Sequence, residues 1–137
     1  MKSWKWALIW GIVTWVVPFA VAIPFYTPNG ELLIEEHYFK TLMVVVGAAT
    51  GAIAIVMYLR NARQGFLLEA VKVGMLWLAM NWVIDLLVLV PMMGTGVVTY
   101  FGEIGFRYVS LLFMCVAAGT VADRALAECC AKKKGRQ

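Results

Sequence analysis

The chain has 137 residues, 63% of them hydrophobic and 15% charged, with a formal net charge of +4. A soluble domain of this length carries roughly 25% charged residues and about 45–50% apolar ones, so the composition excludes an ordinary soluble domain. The positive charge does not point to nucleic acid, because the basic residues cluster at the ends of apolar runs.

The apolar residues form four runs, at 6–26, 39–59, 71–93 and 104–127. A run of about 20 such residues crosses a bilayer core of about 30 Å as a helix. The runs lack the two-residue alternation of barrel strands, and in lipid only helices and closed barrels satisfy their backbone. The expected fold is therefore an all-α integral membrane protein, one domain over 1–137. Short connections make sequential helices antiparallel neighbours, giving four transmembrane helices in an up-down-up-down bundle with a basic cytoplasmic tail at 128–137.

The first run follows Lys2 and Lys5 and contains Pro18 and Pro24. Ala20-Val21-Ala22 has the small-x-small form of a signal-peptide cleavage site, but the apolar run continues through Ile23 and Phe25, so a retained span is expected. Pro18 removes one backbone hydrogen bond and favours a kink used for packing. Thr27-Pro28-Asn29-Gly30 is a turn signal. After it, Glu31 to His37 is expected to form a surface helical turn, with Glu36 and Lys40 at the spacing of an ion pair.

The second run carries Gly47-Ala48-Ala49-Thr50-Gly51-Ala52, in which Gly47 and Gly51 form a GxxxG pair that lets another helix approach closely. Gly119 sits in a similar patch, Ala117-Ala118-Gly119-Thr120, in the fourth run. These patches serve packing within one bundle or against a second copy, so a homo-oligomer is one expected partner. The connection between the last two runs, Pro91-Met92-Met93-Gly94-Thr95-Gly96, mixes a helix stop with two glycines. Its continuation, Val97 to Phe101, lies in the interface or dips inward.

Charge sets the orientation. Lys2, Lys5, Arg60, Arg63, Lys72, Arg124, Lys132, Lys133, Lys134 and Arg136 fall on one side of four crossings. Lys40 and Arg107 fall on the other, with Glu31, Glu35, Glu36 and Glu103. The positive-inside rule puts both termini in the cytoplasm, in a plasma or inner membrane. Trp4, Trp6 and Tyr58 mark the inner edge, and Tyr26, Tyr38, Tyr100 and Tyr108 the outer one. The basic tail suits anionic lipid headgroups, at about 1 kcal/mol per charge near the surface. Cys129-Cys130 faces a reducing compartment, where a structural disulfide is not expected.

The third run holds the residues that carry chemistry. In LAMNWVIDLLVLV, at 78–90, Asn81 and Asp85 are four apart and share one helical face. A charge at mid-membrane costs roughly 2.5–3.5 kcal/mol on insertion scales, so such residues are functional candidates by default. Asp85 is expected about 10 Å below the outer edge, within reach of Arg107, with Lys40 as the other candidate partner. A structural ion pair of Asp85 with Arg107, helped by Asn81, would fix helix register and make the protein a non-catalytic scaffold or assembly factor. The same residues suit proton- or cation-coupled transport or permeation, since burial pushes an acid towards its neutral form and an arginine pushes the other way. Glu36, Glu103 and His37 would then line the outer mouth and enrich cations there.

Enzyme chemistry finds little support: there is no HExxH, no phosphate-binding glycine loop and no Ser/His/Asp set. One histidine excludes a bis-histidine haem site within one subunit, and no cofactor or metal is expected. In length and number of spans the chain is similar to the small multidrug-resistance transporters, which work as dimers through a carboxylate in their first helix. Helix 1 here has no acid and the third-helix acid sits at another depth, so no residue role carries over.

Overall fold

The computed structural model describes residues 4–61, 65–94 and 96–134. Lys2, Arg63, Thr95 and Arg136, named above, lie outside the described residues. The chain forms α1 (Trp4–Ala22), a 3-10 turn (Ile23–Phe25), α2 (Glu36–Leu59), α3 (Phe66–Met93), a short α4 (Val97–Glu103), a second 3-10 turn (Gly105–Tyr108) and α5 (Val109–Lys134). Four of these stretches, Trp4–Phe25, Glu36–Leu59, Phe66–Met92 and Gly105–Lys134, are long and apolar enough to cross a membrane. Large apolar side chains such as Leu87, Phe113 and Val45 are exposed on their outer faces, as a lipid solvent requires.

The boundaries differ from the apolar runs for local reasons. α3 begins at Phe66 because Gly65, at φ +68°, turns the chain into it, and because Asp123 of α5 caps its start. The Phe66 and Leu67 amides donate to the two oxygens of Asp123 at 3.0 and 2.9 Å. α5 runs on through the expected tail to Lys134: alanines and lysines favour helix, and lysines in the last turn complement its negative end.

Between α1 and α2 the chain makes a small hairpin rather than the expected helical turn. Thr27-Gly30 closes the reversal, with the Glu31 amide bonded to Thr27 Oγ1 and Gly30 at φ +83°. The reversal brings the Leu33 amide back to the Phe25 carbonyl and pairs Tyr26 with Leu32. Glu36 and Lys40 form the expected ion pair in the first turns of α2.

Packing departs from simple succession. α3 packs most closely on α5 and α1 on α2, while α1 also meets α3 and α2 meets α5. The backbones of the consecutive helices α2 and α3 touch little, contrary to the expectation that each helix neighbours the next. They face each other across the centre, bridged by large side chains: the Tyr58 and Trp77 rings meet edge to face at 6.2 Å, and the Tyr58 hydroxyl donates to Glu69 at 3.0 Å. Tyr58 is thus buried in the core near the end of α2, whereas Trp4 and Trp6 are exposed.

The glycines explain the pairings. A Cβ on Gly119 would lie 2.7 Å from Ala70 Cβ and 2.9 Å from Leu67 Cα, so α5 and α3 meet nearly backbone to backbone. A Cβ on Gly51 would meet Leu111 of α5. Gly47, its GxxxG partner, faces open space. The two small-residue patches pack inside the bundle, but on different partners.

Candidate functional site

Three successive turns of one face of α3 present Trp77, Asn81 and Asp85, exposed by 0%, 0% and 1%. Each is tied to α1. The Trp77 indole N–H donates to the Ala7 carbonyl at 2.7 Å. The Asn81 amide donates to Thr14 Oγ1 at 3.2 Å, and the Trp15 indole N–H to Asp85 Oδ1 at 2.6 Å. The contacts climb in the same sense along both helices, so α1 and α3 lie parallel there. Gly11 makes room for this approach, since a Cβ on it would sit 2.8 Å from the Trp77 ring.

Asp85 receives more than α1 offers. The Tyr100 hydroxyl donates to Asp85 Oδ2 at 2.7 Å, and the Tyr108 hydroxyl lies near the carboxyl group. Both tyrosines come from the connection between α3 and α5, which folds as α4 and a 3-10 turn. Trp82 holds that connection down by donating to the Gly105 carbonyl at 2.9 Å, and its ring meets Phe101 edge to face. Tyr100 is only 2% exposed. Its hydroxyl is held above the usual tyrosine range, first by burial and then by its bond to Asp85, so it stays a donor. Of Val97 to Phe101, Tyr100 turns its side chain into the interior of the bundle.

The expected ion pair between Asp85 and Arg107 is absent. Arg107 donates instead to the backbone carbonyl of Lys40 at 3.2 Å. The reason is local: the 3-10 turn that carries Tyr108 to Asp85 turns the neighbouring Arg107 towards the start of α2. Lys40 is also engaged elsewhere, with Glu36 and with Glu103 at 3.4 Å. Asn81 does not bond to Asp85 either: its NH₂ serves Thr14 and the Trp77 carbonyl, the latter at 2.7 Å. The predicted residues therefore separate into two groups. Asn81 and Asp85 are interior, while Lys40, Glu36, Glu103 and Arg107 form a second cluster at the head of α2. His37 stands exposed beside that cluster, with its carbonyl bonded to Thr41.

The arrangement is a buried carboxyl group met by two neutral donors and by no cation within ion-pair distance among the described residues. Compared with known proteins, the chain matches no family model, no curated protein and no solved structure. The site must speak from its own chemistry. Among the described residues, no three of the His, Cys, Asp or Glu side chains group as metal ligands.

The donors to Asp85 were the residues missed. A buried tryptophan or tyrosine needs a partner for its polar end. That rule makes Trp15, beside Thr14 in an otherwise apolar helix, and Tyr100 readable as donors awaiting an acceptor.

Proposed function

We propose that this small membrane protein carries out proton- or cation-coupled transport or permeation, with Asp85 as the exchanging group and Asn81 beside it. The observation that carries the reading is the company Asp85 keeps. An acid that only locks helices together is best paired with a cation or replaced by an apolar side chain of similar size. Asp85 has neutral donors from two segments, α1 and α4, and an exchanging group needs such an environment: its charge can be gained or lost without stranding a buried arginine or lysine.

The proposal includes the placement in the membrane. With basic residues gathered at one end, both termini lie in the cytoplasm of a plasma or inner membrane, and Lys132, Lys133 and Lys134 meet anionic lipid. The cluster of Lys40, Glu36, Glu103 and Arg107 lies on the outer side. A homo-oligomer belongs to the same proposal, through the face of α2 around Gly47, where added atoms meet nothing.

A second reading has its own observation. Asp85 joins α1, α3 and α4 through Trp15 and Tyr100, which suits a scaffold whose polar centre fixes helix positions. Dye-reported proton and cation flux in proteoliposomes separates the two, comparing wild type with Asp85→Asn at matched reconstitution. Flux lost in a folded Asp85→Asn supports exchange. No flux from the wild type, with a large fall in melting temperature for the variant, supports the scaffold.

A further inference from the structure

The Asn81 side chain is fully buried, and its Oδ1 has no hydrogen-bond partner. Turning the amide over does not cure this. The Trp77 carbonyl can only accept, and the Thr14 hydroxyl spends its proton on the Gly11 carbonyl at 2.7 Å, so both need the NH₂ where it is. The NH₂ therefore occupies one prong of the amide, and the other presents a fixed, bare acceptor. A buried acceptor without a partner costs about 1–3 kcal/mol, and more where water is scarce.

One turn further along the same face stands Asp85. A carboxylate offers about four lone-pair directions. Trp15 and Tyr100 use two of them. Two directions remain, and no cationic side chain among the described residues lies within ion-pair distance of the carboxyl group. An amide oxygen and a carboxyl group, both with spare lone pairs, thus lie on adjacent turns of α3.

We propose that Asn81 Oδ1 and Asp85 together bind one small monovalent cation, of the size and hardness of sodium. The donor set decides the class. Oxygen ligands without histidine or cysteine suit hard cations and not transition metals. A single carboxylate balances a single positive charge, whereas calcium sites use six to eight oxygens and commonly several carboxylates. A divalent ion here would leave an excess positive charge in the membrane interior. The bound cation gives Asn81 Oδ1 its missing partner and balances the Asp85 carboxylate without disturbing its two donors. The proposal rests on Asp85 as an exchanging group and names what is exchanged.

The test is a sodium titration of the purified full-length protein in detergent, with choline chloride holding the ionic strength constant. Tryptophan fluorescence is the first readout, because Trp15 bonds to Asp85 and the Trp77 carbonyl to Asn81. Melting temperature is the second, since a ligand of the folded state raises it by mass action. The expected result is a saturable fluorescence change and a rise in melting temperature with sodium but not with choline. Asn81→Leu should weaken the apparent sodium affinity about tenfold to a hundredfold, the weight of one ligand to a charge, and Asp85→Asn should abolish the response. A variant that does not fold leaves the wild-type titration decisive.

A wild type indifferent to sodium overturns the proposal and assigns the Asn81 oxygen to water. If Asp85-dependent proton flux persists in that case, only the cation falls and the exchange reading stands. If flux is absent as well, both fall.

Discussion

Trp15 Nε1 donates to Asp85 Oδ1 across 2.6 Å, joining the first membrane helix to the interior acid of the third. The Trp15 ring stacks on Phe19 with centroids 4.8 Å apart, so packing within α1 orients the indole that makes this bond. Trp15→Phe keeps an aromatic ring and removes the donor. The expected loss is about 1.5–3 kcal/mol if the acid is charged, read as a lower melting temperature in detergent. A loss under about 1 kcal/mol would indicate a neutral acid there.

Trp15 and Tyr100 approach the same carboxyl group from different segments, so their effects should not add. A double-mutant cycle with Trp15→Phe and Tyr100→Phe is expected to give an interaction energy of about 0.5–3 kcal/mol. Additive losses would show that the two donors act independently.

Tyr100 also makes an alkaline prediction. Its hydroxyl is raised above the ordinary tyrosine value by burial and by Asp85, while in the unfolded chain it titrates near the ordinary value of about 10. The stability it contributes is whole below that value. Above it the unfolded state loses the proton first, so stability falls with rising pH by up to about 1.4 kcal/mol per pH unit. Tyr100→Phe should flatten this alkaline slope, as measured by melting at a series of pH values.

Two glycines separate close packing from open surface. Gly119→Ala forces its Cβ against Ala70 and the backbone at Leu67, and should cost about 1–3 kcal/mol. Gly47→Ala meets nothing within 4 Å and should leave stability unchanged or raise it by up to about 1 kcal/mol. Parallel melts of the two variants check both. A large loss at Gly47 in lipid alone would reveal a second copy packed there.

Asp123 holds two amides at the start of α3 from a different helix. Asp123→Ala should cost about 0.5–2 kcal/mol and loosen the first turn of α3, seen as faster hydrogen exchange at Phe66 and Leu67. Unchanged exchange at those amides would mean that Gly65 alone suffices to start the helix.

The four long helices were legible because lipid imposes one strong rule, a long apolar run, and the runs in this chain are unambiguous. Asn81 and Asp85 were legible as an interior polar pair because few residue types are so costly there. Their partners were not. An ion pair with Arg107 follows from charge and depth alone, but the path of residues 96–108 decides it, and that path depends on Trp82 catching the Gly105 carbonyl. The placing of α2 opposite α3 was hidden for a similar reason. Gly51 and Gly119 announce a close approach without naming the neighbour, and the neighbours, Leu111 and Ala70, carry no mark in their types.

The bonds from Asp123 to the Phe66 and Leu67 amides span 57 and 56 residues of sequence. On the ribosome, α3 therefore emerges long before the side chain that finishes its first turn. A chain halted before α5 holds the acid of α3 and the tryptophan of α1, yet lacks the cap at the start of α3. The last helix made completes the first turn of the third, so truncated chains should be the ones that quality-control proteases recognise first.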